Sequence, residues 1–141
     1  MLRKAAVKSA WDLYHDPNET GDVQFMRFDV DFAVQDPNKP YSDVADFFTH
    51  QLRNKEWAEQ IFLKGLAVEL GRDIKIFDTR MITRKHGKGV YFISGKRGAK
   101  AHNDLIGGEP LTMAYDSTYN NEHFQSILVK EPATKSFFLL P

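Results

Sequence analysis

The order of hydrophobic patterns along this chain predicts an α+β domain. Helix-like periodicity dominates residues 2–70, strand-like runs crowd the stretch from Ile74 to Val129, and loops rich in glycine and charge separate those strands. At 141 residues the chain has the length of one domain, able to bury about two-thirds of its unfolded surface without disulfides.

Leu2, Ala6, Ala10, Leu13 and Tyr14 recur every three or four positions, which predicts a helix over 2–14 that Asp16-Pro17-Asn18 stops. Between Val23 and Val34 the alternation from Phe28 to Phe32 favours a strand. After the Asp36–Pro40 loop, Ser42 or Asp43 offers an N-cap to a helix carrying Val44, Phe47, Phe48 and Leu52. A longer helix runs from Trp57 to Leu70, with Ile61, Phe62, Leu66 and Ala67 in its apolar stripe and Gly71 at its C-cap. Strands are expected at 74–77, 89–94, 111–115 and 123–129. The polar turn Asp116–Asn121 predicts that the last two pair antiparallel, within a small and mostly antiparallel sheet.

Nineteen basic and nineteen acidic side chains cancel, which argues against a dedicated nucleic-acid binder. The zero conceals two blocks. Nine acids lie between Asp12 and Asp46 against Arg27 and Lys39, a net of −7, and seven basic residues without an acid lie between Arg80 and Lys100. Either these faces are solvated or partly compensate each other, or one of them meets a charged partner. No apolar run approaches the roughly 20 residues of a membrane helix. A soluble chain is expected, with the cytoplasm as the default location.

The chain has no cysteine, and its five histidines (15, 50, 86, 102 and 123) show no metal-ligand spacing, so neither a metal nor a cofactor is expected. Gly87-Lys88-Gly89 and Gly95-Lys96-Arg97-Gly98 lack phosphate-loop spacing and read as basic turns. His123 opens an apolar strand, a rigid mount for a general base, and Gln125 two residues on is a candidate to orient the imidazole. A lone histidine at a strand end is also compatible with a purely structural role.

Leu52 to Leu70 followed by Ile74-Lys75-Ile76-Phe77 resembles the middle of ovarian-tumour (OTU) family cysteine proteases: a tryptophan opening a helix, a Leu-x-x-Leu-Ala core, then an Ile-x-Ile strand. Pro110 to Tyr115, a polar turn and His123-Phe124-Gln125-Ser126-Ile127 resemble that family's closing hairpin, and Leu2–Val7 resembles the helix after its nucleophile. The likeness spans residues 1 to about 129 and implies an OTU-like domain over 1–141, of papain-like cysteine protease type and incomplete at its N-terminus.

The resemblance implies a ubiquitin isopeptidase in which His123 is the base. It departs in two places. The Asp-Gly-Asn-Cys segment that carries the family's nucleophile would precede Leu2 and is not in this sequence, and Gln125 stands where the family often has Asp or Asn. Ser117 and Ser126 do not occupy the nucleophile position. The expectation is an OTU-like deubiquitinase domain that is inactive as written, with ubiquitin or a ubiquitin-like protein as partner. The alternatives are a non-catalytic ubiquitin-binding or protein-interaction module and an unrelated α+β binding domain. Lacking the nucleophile helix would leave apolar surface uncovered, at about 25 cal/mol per Å², so marginal stability or self-association is also expected, unless the apolar Ser136–Pro141 run covers part of it.

Overall fold

The computed structural model describes residues 2–53, 59–78, 89–101, 103–116 and 123–126. Four helices come first: α1 (Leu2–His15), α2 (Asp22–Gln35), α3 (Val44–Gln51) and α4 (Gln60–Leu70). Four strands follow: β1 (Ile74–Asp78), β2 (Val90–Ile93), β3 (Leu111–Asp116) and β4 (His123–Ser126). The fold is α+β, with a small mixed sheet in the order β2-β1-β3-β4.

α4 is the central helix. Every residue from Ile61 to Ala67 is buried, the condition expected of a helix surrounded by protein. Gly71 ends it at φ 65°, a left-handed conformation that glycine adopts without steric cost. Gly65 allows α1 to lie almost in backbone contact with α4: a Cβ there would fall 2.3 Å from the Ala6 carbonyl oxygen. At α3, the Asp43 carboxylate caps the helix by accepting the Asp46 N–H at 2.7 Å.

The sheet buries one face under these helices. Ile74 and Ile76 of β1 sit opposite Ile93 and Tyr91 on one side and opposite Leu111 and Met113 on the other. Ile74, Ile76, Ile93, Leu111 and Met113 all join the core with Met26, Phe47, Phe48, Phe62 and Leu66. Alternation at period two carries Lys75 and Phe77 to the opposite face, where the Lys75 ammonium stands over the Phe77 ring at 5.2 Å. β1 pairs antiparallel with β2 and parallel with β3, and β3 pairs antiparallel with β4. The expected antiparallel union of the last two strands is therefore present; the parallel union of β1 with β3 was not foreseen.

The strand expected between Val23 and Val34 is instead helix α2. The core-facing residues Val23, Met26 and Val30 recur at helical spacing, whereas Phe28 and Phe32, which created the alternation, are exposed. Helix propensity and a second apolar face together imitate period two. Trp57 and the opening turn expected of α4, the Asp116–Asn121 turn beyond Asp116, residues 127–129 and the Ser136–Pro141 run lie outside the described residues.

Candidate functional site

β4 is a terminal strand of the sheet and begins at His123, as expected. Its backbone register sets His123 opposite Asp116, Gln125 opposite Ala114 and Ser126 opposite Met113. Asp116 is the residue that sequence reasoning passed over. The polar composition of 116–121 places it in the turn, whereas β3 continues through it, and directly opposed positions in an antiparallel pair are the nearest cross-strand neighbours. The register thus sets a histidine position and an aspartate position level with each other on adjacent strands. Ser117, His86 and His102 lie outside the described residues.

The remaining described histidines belong to helices. The His15 ring nitrogen Nδ1 lies 2.8 Å from the Trp11 carbonyl oxygen, four residues back on α1. His50 Nε2 stands 3.6 Å from Asp46 of α3. The Ser42 N–H holds the Asp46 carboxyl below its ordinary range against the opposing effect of burial, with a lesser contribution from the nearby His50. Among the described residues no three histidines, cysteines, aspartates or glutamates are grouped so as to hold a metal ion.

The glycine-rich loop between β2 and β3 is fastened by carboxylates. Asp73, buried just before β1, accepts N–H bonds from Gly95 at 2.9 Å, Ile106 at 3.1 Å and Gly107 at 3.0 Å. Buried Glu19 takes the Gly98 N–H on both oxygens, at 3.0 and 3.1 Å. Asp104 accepts the Lys100 N–H at 2.9 Å and the Lys96 ammonium at 3.1 Å, and these two partners hold its carboxyl below the usual range. Backbone donors that a phosphate loop would offer to a ligand are thus already spent on side chains of this chain.

The same contacts show how the two charge blocks meet. Glu19 bonds Gly98, the Arg97 guanidinium stands 3.8 Å from Asp16, and Asp22 forms a buried ion pair with Lys64 of α4. The Asp16–Arg97 pair and the Glu19–Gly98 bond thus join the acidic segment to the end of the basic one, whereas Asp22 is met by Lys64, which lies outside that basic segment. Arg80, Arg84, Lys85 and Lys88 lie outside the described residues.

Phe25, Phe28 and Phe32 on α2 are 65%, 49% and 70% exposed, beside the exposed Asp29. No protein-family model, curated protein sequence or solved structure matches this chain. No described helix is long and apolar enough to cross a membrane.

Proposed function

We propose that this chain is an OTU-like domain of the cysteine-type deubiquitinase lineage that binds ubiquitin or a ubiquitin-like protein without hydrolysing it. The observation that carries the reading is the β3–β4 hairpin, in which His123 opens a strand and faces Asp116 across an antiparallel register. The order of elements around it supports the same reading: a buried helix α4, the Ile74-Lys75-Ile76 strand, and a closing pair that ends on the histidine strand. Asp116, at the register position directly opposite His123, joins Gln125 as a candidate orienter, since a carboxylate supports an imidazolium cation that an amide does not.

Hydrolysis requires a nucleophile, and the chain has no cysteine. A histidine base without a thiol to deprotonate leaves the carbonyl of an isopeptide bond unattacked, and a serine without a positioned base and oxyanion hole is inert. Binding is the activity left to such a domain.

Titration of isotope-labelled ubiquitin with the full chain, alongside incubation with diubiquitin, tests both halves of the proposal. Saturable shifts with uncleaved diubiquitin are expected. Absence of any shift at high micromolar concentration would remove the ubiquitin reading, and cleavage would remove the non-catalytic one.

A further inference from the structure

Helix α2 is apolar on two faces. Its inner face seats Val23 at 0%, Met26 at 1% and Val30 at 2% exposure in the core. Phe25, Phe28 and Phe32, spaced by three and four residues, form a second stripe that stands in solvent. A single exposed phenylalanine is ordinary, but three along one stripe of one helix make a contiguous apolar patch of the kind that marks a docking surface.

The charge beside this stripe selects the partner. Arg27 is the helix's one basic residue, and its guanidinium is turned inward to donate to the carbonyl oxygens of Leu13, Tyr14, Asp16 and Glu19. Between and beside the phenylalanines stand exposed Gln24, Asp29 and Gln35. Among the residues of α2, the face therefore presents aromatic rings with a carboxylate and no cation. A helix built to lie on an anionic membrane carries lysine and arginine on its rim instead, and nucleic acid would be repelled.

We propose that Phe25, Phe28 and Phe32 anchor this chain on ubiquitin, with α2 lying across an apolar surface patch bounded by lysine and arginine side chains and with Asp29 meeting one of those cations. Anchors at i, i+3 and i+7 are the pattern by which one helix fills an apolar recess of a partner. The choice of ubiquitin, whose recognition face is basic, rests on the reading given under Proposed function; the position of the docking face does not.

The test is a titration of the isotope-labelled full chain with ubiquitin, repeated with Phe25→Ala, Phe32→Ala and Asp29→Lys. All three positions are exposed, so the variants retain the fold, and their thermal transitions check this. Shifts centred on residues 24–35 are expected, with each phenylalanine substitution weakening Kd by about tenfold, the size of a hot-spot loss. Asp29→Lys is expected to weaken binding several-fold and to flatten its salt dependence. Saturable binding with shifts elsewhere and unaffected variants would overturn the docking face and leave the ubiquitin reading standing, whereas no binding would overturn both. Three other results would also overturn the proposal: α2 shifts that follow protein concentration without ubiquitin, NOEs from these rings to Phe137 or Phe138 of the same chain, or α2-dependent sedimentation with phosphatidylserine vesicles.

Discussion

Lys64 and Asp22 form an ion pair at 2.8 Å with both side chains fully buried. The ammonium also donates to the carbonyl oxygens of Ser94 at 2.7 Å and Lys96 at 2.9 Å, so its charge is well met. The carboxylate is less well served: beyond the ammonium, neither of its oxygens has a hydrogen-bond donor among the described residues. The pair joins α2, α4 and the loop after β2 at one point. Removing one partner strands the other charge in the interior, a loss of about 3–5 kcal/mol. Lys64→Met is accordingly expected to lower the free energy of urea unfolding by that amount, and the double variant Asp22→Leu with Lys64→Met to recover most of it. Wild-type stability in Lys64→Met would rule out a structural role for the pair.

Asp73 holds the β2–β3 loop through three backbone N–H groups shared between its two oxygens. Asp73→Ala leaves all three donors without their acceptor, at about 1–3 kcal/mol for each group that stays buried. Asp73→Asn keeps one oxygen, positioned to serve one or two of them, so the alanine variant is expected to be the more damaging. Amide exchange reads the difference locally: Gly95, Ile106 and Gly107 should lose protection together, more in Asp73→Ala than in Asp73→Asn. Unchanged protection at those three amides would show that the loop is held by other means.

Gly65 reverses the usual rule for glycine in a helix. Replacing an interior glycine with alanine ordinarily gains about 0.5–1 kcal/mol. Here the new Cβ would meet the Ala6 oxygen at 2.3 Å and the Ala10 nitrogen at 2.8 Å, both backbone atoms that move only if α1 moves. Gly65→Ala is therefore expected to destabilise by about 1–3 kcal/mol, the range for overpacking, and to lower the thermal midpoint. A raised midpoint would mean that the two helices are farther apart than described.

These three sites differ in how far the sequence disclosed them. α4 and β1 could be read directly, because a continuous apolar stripe ending in Gly71 and a short Ile-Lys-Ile run each admit one structure. α2 could not, because a helix with apolar residues on two faces also satisfies strand alternation over Phe28, Val30 and Phe32. The carboxylate fastening of the loop was illegible for a different reason: Asp73 reaches Gly95 across 22 residues and Glu19 reaches Gly98 across 79, and no local pattern encodes such pairings. At the hairpin, the place of His123 at a strand start followed from its apolar neighbours. Its opposition to Asp116 required the register, which a one-residue slip would have reversed.

Tyr14 ties α1 to α2 by donating its hydroxyl proton to Asp31. Burial first, then the bond and the nearby Asp31 charge, push the phenol from its ordinary 10.0 up to about 12, against a smaller opposing pull from Arg27. A folded-state value above the unfolded one means that the native state holds the proton longer. The resulting stability is fully present below pH 10 and is lost as pH rises toward about 12. Phenolate absorbance of the folded chain should therefore include a late-titrating component that is absent in Tyr14→Phe and moved to lower pH in Asp31→Asn. The wild-type chain should also lose stability more steeply than Tyr14→Phe between pH 10 and 12. Parallel stability curves for the two proteins in that window would show that the Tyr14 proton is not linked to folding.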